Sequence, residues 1–209
     1  KKKIIEVEAG ITIKDLLKII IPKNLFLPVT PGSKFISIGG MVASDVHGKN
    51  HHKKGSFRHH ILELKIIDEK GKLIKCSKKN NSNLFNYSIG GMGLTGIIYS
   101  CKFKLISISS DQIFQEKVKT SNLRDTINNL KLSNNWEYNV GWIDTSAGDT
   151  KLGRSVIFRG KHLRQAKKQK LLYRENFSFS LNTIFPNWFM NFFTIKMLNF
   201  IYYLFNIQN

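Results

Sequence analysis

Two clusters of glycine constrain this chain of 209 residues more than any other feature. The first, Gly39-Gly40, follows the run FISI, and the second, GGMGLTG from Gly90 to Gly96, precedes the run IIYSCKF. Glycine lets the backbone turn sharply and approach other groups closely, because it has no Cβ. Successive glycine amides at such junctions form a concave donor surface that suits a phosphate or the polar edge of a cofactor. The second cluster precedes a strand and does not open a helix, so it lacks the arrangement of a dinucleotide-binding fingerprint. The residues alone therefore predict a phosphate or cofactor cradle.

The segments around the clusters predict a mixture of helices and strands. TIKDLLKIIIP is typical of a short helix with one apolar face, which Thr12 caps and Pro22 ends. ILELKIIDEKGKLIKCS is typical of two antiparallel strands joined by a turn that contains Gly71.

Two further strands are expected beside the glycine clusters. Phe35, Ile36 and Ile38 alternate as in a strand just before Gly39. In the strand after Gly96, the residues expected to share one face are Ile97, Tyr99, Cys101, Phe103 and Leu105.

Histidines are concentrated in SDVHGKNHHKKGS, between Ser44 and Ser56. The spacing of His47 and His51 makes zinc coordination conceivable, but Gly48 argues against a helix that would align them. Asp45 is the only carboxylate close by and no cysteine is near, so no metal site is predicted.

The chain is strongly basic, with 33 Lys and Arg against 14 Asp and Glu and a formal charge of +19. Such a charge attracts nucleic acid or anionic lipid, but most of it is scattered lysine, which is typical of a solvated surface. Around the histidines only Phe57 is available to stack on a base. We therefore expect no nucleic-acid partner, and a basic nucleic-acid-binding module remains a remote alternative.

The remaining features concern location and domain organisation. Cys76 and Cys101 suit a reducing compartment, and no charged-then-apolar leader opens the chain. The aromatic run that includes Trp188 is interrupted by Lys196 and several asparagines. It predicts a packing or membrane-surface helix and not a spanning one. A cytoplasmic location is expected, with peripheral contact at the inner membrane as an option.

SISSDQ reads as a linker, and it predicts one domain over residues 1–108 and another over residues 111–209. The chain begins with lysine and ends without a helix-stop signal. We therefore expect it to be a piece of a longer protein.

The strings VTPGSKFISIGGMVASDVHGKNHHKKGSFRHHI and LFNYSIGGMGLTGIIYSCKF resemble the second half of an FAD-binding domain of the vanillyl-alcohol-oxidase type. Within that superfamily they are similar to the decaprenylphosphoryl-β-D-ribose oxidases, above all in HGKNHH, GSF and GGMGLTGII. YNVGWIDTSAGDTKLGRSVIFRG resembles, more loosely, the start of the substrate domain of that family. The resemblance implies an α+β fold: the C-terminal part of a PCMH-type FAD-binding domain, a mixed sheet with flanking helices, followed by the beginning of an α+β substrate (cap) domain.

The resemblance also implies roles for individual residues. His47 would lie against the flavin and assist with a proton or polarise the ring, or it would only shape the site. Lys49 would face the substrate pocket, Trp142 would help to wall it, and both His47 and Lys49 are candidate catalytic residues. The residues implied to contact FAD are Gly32, Ser37, Ile38, Gly39, Gly40, Ser44, Asp45, Val46, His47, Gly48 and Ile98.

The implied activity is oxidation of a sugar hydroxyl by FAD, with a small-molecule or polyprenyl-phosphate sugar as the substrate. A decaprenylphosphoryl-ribose-type 2′-oxidase is the first choice, with a reductase partner that completes an epimerisation. An aldonolactone or sugar-alcohol oxidase of the same flavin fold is the alternative. The upstream half of the FAD domain and most of the substrate domain have no counterpart here, so we expect this chain alone to be inactive.

Overall fold

The computed structural model describes residues 3–163, 173 and 190–206. The chain forms two compact units. The first contains Lys1–Gln112 together with His162 and Tyr173, and the second contains Ile113–Lys161 and the helix near the C-terminal end. Trp188 lies outside the described residues.

The first helix, α1 (Ile13–Ile20), confirms the sequence prediction. The Thr12 hydroxyl accepts a hydrogen bond from the amide of Asp15 at 3.2 Å and thereby caps the helix. Ile13, Leu16 and Ile20 are buried at helical spacing, and Pro22 lies in the 3₁₀ turn Ile21–Lys23 that follows.

The first unit is built on an antiparallel sheet. Its strands are β1 (Ile4–Glu8), β2 (Leu25–Phe26), β3 (Ile61–Ile67), β4 (Leu73–Ser77), β5 (Ile97–Lys104) and β6 (Ile106–Ser107). Four of them form a sheet in the order β1-β5-β3-β4, and β2 pairs with β6. The β3–β4 hairpin confirms the prediction, with Gly71 at φ +75° in its turn. The α+β class is confirmed, although this sheet is antiparallel throughout where a mixed sheet was expected.

The prediction for the faces of β5 is wrong at its start, because the strand contains a bulge. Lys65 pairs with Ser100 and Ile66 pairs with Ile98, which leaves Tyr99 as the extra residue. The bulge reverses the alternation, so Ile98 packs against the core while Tyr99 is 45% exposed.

The strand expected at Phe35–Ile38 is also wrong, because a short helix, α2 (Ile38–Ala43), begins there. The Ser37 hydroxyl accepts from the amide of Gly40 at 3.1 Å and caps this helix. Ile38, Met41 and Val42 are fully buried, and their spacing is that of one helical face. The two glycines between Ile38 and Met41 make this spacing hard to recognise in the sequence. Three more short elements follow, namely α3 (His51–Lys54), a 3₁₀ turn (Phe57–His60) and α4 (Ser82–Ser88).

A continuous apolar core joins these elements. It lies between the helices and one face of the sheet, and its largest members are Phe57, Phe85 and Phe103. Cys76 and Cys101 are buried in it, and each pairs with Leu64 from opposite sides. Two strand spacings separate them by roughly 10 Å, which is too far for a disulfide.

The second unit is a smaller α+β layer. Its elements are β7 (Ile113–Thr120), α5 (Leu123–Leu132), β8 (Tyr138–Ile143), β9 (Ser155–His162) and α6 (Phe192–Phe205). The sheet order is β7-β9-β8, and Asn122 caps α5 by accepting from the amide of Asp125 at 2.9 Å. None of the residues of α6 is buried, although the helix is strongly apolar. In the part of the chain that the structure describes, no helix is long and apolar enough to cross a membrane.

Candidate cofactor site

The loop that carries His47 leaves the end of α2 and is fixed at both sides. Asp45 turns the chain with φ +41°, and the carbonyl of Val46 accepts from the amide of Phe57 at 2.8 Å. At Gly48 a Cβ would lie 2.8 Å from the carbonyl oxygen and 3.1 Å from the nitrogen of Thr30. Only glycine therefore fits where this loop rests on the backbone of Thr30.

Asn50 holds the same loop from beneath. Its Nδ2 donates to the carbonyl of Pro28 at 2.8 Å, and the residue is only 1% exposed. Its Oδ1 is buried and has no hydrogen-bond partner among the described residues. A buried acceptor without a donor is costly, so this position is suited to a bound group that carries an N–H or O–H.

The second glycine cluster lies directly against the end of α2. The amide of Gly90 donates to Val42 at 3.0 Å and the amide of Met92 donates to Ala43 at 2.9 Å. Gly90, Met92 and Gly93 all have positive φ. These left-handed backbone conformations turn the loop toward the carbonyls of Val42 and Ala43. The first glycine cluster lies within α2, and the second, about fifty residues later in the sequence, bonds to the C-terminal end of the same helix.

The amides of the first cluster have partners within the protein. Ile38 donates to Ile11 at 2.9 Å, Gly39 donates to Ala9 at 2.8 Å, and Gly40 donates to Ser37. Gly39 also allows a close approach, because a Cβ there would lie 2.9 Å from that of Ala9. Ile38, Gly39 and Gly40 remain predicted cofactor contacts. Because their backbone amide hydrogens are bonded within the protein, they would contact the cofactor through other atoms.

The remaining predicted residues divide between the two units. Gly32, Ser44, His47 and Lys49 are exposed on loops of the first unit, and a Cβ on Gly32 would meet nothing within 4 Å. Trp142 is on β8 of the second unit. Its ring centroid lies 4.6 Å from that of Tyr202, and it lines an open groove of about 520 Å³ along α6.

The histidines form pairs and local contacts. The rings of His47 and His51 are 5.1 Å apart, and His59 Nδ1 lies 3.2 Å from the carbonyl of Ser56. Burial lowers the pKa of His60, whose Nε2 lies 3.0 Å from the carbonyl of Lys54. Among the described residues, no three histidine, cysteine or acidic side chains come together as metal ligands do.

Sequence reasoning missed Asn50 and Arg58. Arg58 bonds to Asp45 through its backbone amide at 2.9 Å and through its Nε at 3.2 Å. In the sequence Arg58 follows Lys49, Lys53 and Lys54, and nothing local distinguishes it from these other basic residues. The signal that could have identified Arg58 was Asp45, an acidic residue for which no positively charged partner is predicted from the sequence.

Part of the chain matches a known protein family. Residues 1–77 match a family model described as an FAD binding domain. Residues 1–77 are therefore identified as part of an FAD-binding domain of the PCMH type, whose cofactor is FAD.

One relative extends the match into the second unit, and others match about half of the chain. The chain is 30% identical over 210 residues to the decaprenylphosphoryl-β-D-ribose oxidase of Mycolicibacterium smegmatis, covering 96% of this chain and 46% of that protein. It is 27% identical over 129 residues to a D-lactate dehydrogenase of Anaerostipes hadrus, covering 59% of this chain and 27% of that protein. It is 24% identical over 106 residues to the human Δ(24)-sterol reductase, covering 51% of this chain and 20% of that protein. The chain therefore spans less than half the length of each of these relatives.

The residues present fit FAD in two respects. The flavin and its ribityl chain carry N–H and O–H donors, which suit the buried Oδ1 of Asn50. Gly32, Gly90 and Gly93 are exposed and carry no side chain, so a large flat cofactor can approach the backbone at these positions.

Proposed function

We propose that the protein to which this chain belongs oxidises a hydroxyl group of a sugar, with FAD as the electron acceptor. The first choice of substrate is a decaprenylphosphoryl-ribose, oxidised at its 2′ position. The observation that supports this choice is the 30% identity to the mycobacterial oxidase, which extends over 96% of the chain and includes the loop at His47.

Bound FAD supplies a two-electron acceptor at flavin N5 for the hydride from the sugar carbon. The protein then has to orient the substrate and accept the proton of the hydroxyl group. His47 is the candidate for the proton, because its imidazole is exposed at the surface of a loop that Asn50 and Thr30 hold in place.

Lys49 is the candidate for recognition of the substrate charge. It is exposed two residues from His47, and its ammonium group complements the phosphate of a glycosyl phosphate. Trp142, on the second unit, stays a candidate for the substrate pocket by resemblance, since a ring face suits the apolar face of a sugar.

Two partners belong to this proposal. A reductase that returns the hydride on the opposite face would complete an epimerisation. An anionic membrane surface would present a polyprenyl-phosphate substrate, and the net charge of +19 is compatible with such a surface.

An aldonolactone or sugar-alcohol oxidase is the second candidate. Its support is that relatives with other substrates in their names, among them D-lactate dehydrogenases, match 59% and 46% of this chain at 27–28% identity. Similarity in the flavin domain therefore does not decide whether the substrate is a sugar phosphate or another compound with a hydroxyl group.

The test uses the whole protein, purified with its flavin. We expect the absorption spectrum of a bound flavin, and bleaching of that spectrum by a prenylphosphoryl-ribose under anaerobic conditions. Faster bleaching by an aldonolactone or D-lactate would overturn the substrate, and a protein that binds no flavin would overturn the proposal as a whole.

A further inference from the structure

Arg58 occupies an unusual place between the two glycine clusters. It lies in the 3₁₀ turn Phe57–His60, and its side chain is about one-third exposed, at 36%. Its guanidinium group contacts two separate segments, namely the loop at Asp45 and the C-terminal end of α4, up to Ile89 immediately before the second glycine cluster.

On the first side, Arg58 forms an ion pair with Asp45. The carboxylate accepts from the Arg58 amide at 2.9 Å and from its Nε at 3.2 Å. Asp45 adopts a left-handed φ of +41°, which a residue other than glycine rarely keeps without support. The ion pair therefore stabilises the turn that leads into His47.

On the second side, the same guanidinium group donates to the C-terminal end of α4. Nη1 and Nη2 each lie 3.3 Å from the carbonyl of Asn86, and Nη2 also donates to the carbonyl of Ile89. The last carbonyls of a helix have no partner within the helix, and the helix dipole favours a cation beside them.

Gly90, the first residue of the second glycine cluster, lies beside both Asp45 and Arg58. A Cβ on Gly90 would lie 3.4 Å from the Cβ of Asp45 and 3.8 Å from Nη2 of Arg58. The glycine loop therefore packs directly on the Asp45–Arg58 pair, while its amides donate to α2.

We infer that Arg58 is a positioning residue: it fastens the second glycine cluster to the loop that carries Asp45 and His47, and so sets the affinity for FAD. The planar fork of arginine is required, because one group must donate to a carboxylate and to two carbonyls in different directions. A lysine offers a single charge on a flexible stem and reaches fewer of these acceptors. This inference rests on the proposed flavin site.

The test uses the whole protein and three variants. Arg58→Met removes the charge and keeps much of the stem, and Arg58→Lys keeps the charge without the fork. Lys65→Met is the control, because Lys65 and Glu6 form an ion pair of similar exposure, at 2.7 Å, on the sheet of the same unit.

Two measurements are made on each variant after removal of the flavin. Hydrogen exchange reports on the amides of Gly90 and Met92, which donate to α2 and need no cofactor to do so. Titration with FAD, followed by flavin fluorescence, gives the dissociation constant.

For Arg58→Met we expect exchange at Gly90 and Met92 to accelerate, and the FAD dissociation constant to rise, each at least about tenfold. Arg58→Lys should recover less than half of either loss on a logarithmic scale, and Lys65→Met should change neither. Unchanged exchange in Arg58→Met, full rescue by lysine, or an equal effect of Lys65→Met would overturn the inference, as would faster exchange with unchanged FAD affinity. A wild-type protein that binds no FAD would overturn the proposed function, while the exchange rates would still decide whether Arg58 fastens the loop.

Discussion

The carboxylate of Asp144 is wholly buried and accepts two hydrogen bonds from Arg154, from Nε at 2.9 Å and from Nη2 at 2.7 Å. Ser146 adds bonds from its amide at 3.0 Å and its hydroxyl at 2.6 Å. The guanidinium carbon of Arg154 also lies 4.5 Å from the ring centroid of Tyr203 in α6. This ion pair is the polar centre of the second unit.

Replacement of Arg154 by methionine should destabilise the protein strongly. It leaves the Asp144 charge buried without its partner, which costs about 3–5 kcal/mol of the free energy of unfolding. Urea denaturation followed by circular dichroism measures the loss. Lys151→Met, at an exposed neighbouring site, is the control and should leave the unfolding curve in place; a similar loss in both variants would contradict the prediction.

The stability of the protein should depend on Asp144 at low pH. Burial raises the pKa of its carboxyl group, but hydrogen bonds from Ser146 and Arg154 outweigh burial and lower the pKa overall from its usual value of 3.8. A lowered pKa in the folded state stabilises the protein above the unfolded-state pKa, and this contribution is lost as the pH falls through the folded-state pKa. The difference in unfolding free energy between the wild type and Asp144→Asn should therefore shrink below about pH 4. A difference that grows with acid would contradict this sign.

Gly48 should tolerate no side chain. An alanine Cβ would lie 2.8 Å from the carbonyl oxygen of Thr30, so Gly48→Ala must displace one of two backbones. We expect a loss of about 1–3 kcal/mol in unfolding free energy, together with weaker FAD retention. Gly10→Ala is the matched control, since a Cβ there meets nothing within 4 Å. Equal stability of the two variants in thermal unfolding would show that the Thr30 contact is not limiting.

His47 should matter for flavin reduction and not for folding. His47→Ala removes an exposed imidazole, so the unfolding transition should stay in place while the rate of reduction by substrate falls about 10²-fold or more. Stopped-flow absorbance of the flavin measures the rate. His52→Ala, on the exposed side of α3, serves as the comparison, and identical rates in wild type and His47→Ala would remove His47 from the catalytic residues.

Both cysteines should resist modification in the folded protein. Burial raises the pKa of Cys76 to about 11 and raises that of Cys101 further, so at pH 8 only on the order of one Cys76 in a thousand is a thiolate. A thiol reagent should label neither residue within the time in which denatured protein reacts fully. Rapid labelling of Cys101 under native conditions would contradict its burial in the core.

Local chemistry in the sequence predicts much of the first unit. Thr12 and the spacing of Ile13, Leu16 and Ile20 are enough for α1, and the turn around Gly71 is enough for the hairpin, because each depends on neighbours in the chain. The bulge at Tyr99 was missed because it depends on the register against β3, which no local pattern contains.

The candidate site was predictable in its location but not in its internal contacts. HGKNHH and the glycine clusters identify the loops, yet the partners of Asp45 and Asn50 lie 13 and 22 residues away along the chain. The helix α2 was missed because Gly39-Gly40 disfavour a helix locally, and burial of Ile38, Met41 and Val42 overrides that preference.

The pairing of β1 with β5 has a consequence for how the first unit forms. Ile4 is opposite Lys104, so the first strand finds its partner only about a hundred residues later. The β3–β4 hairpin can close early, because its strands are neighbours in sequence, whereas β1 has to wait until β5 has been synthesised and docked on β3. During translation Ile5 and Val7 would therefore remain without β5 until this late step, so we expect the pairing of β1 with β5 to be among the last events in folding of the unit.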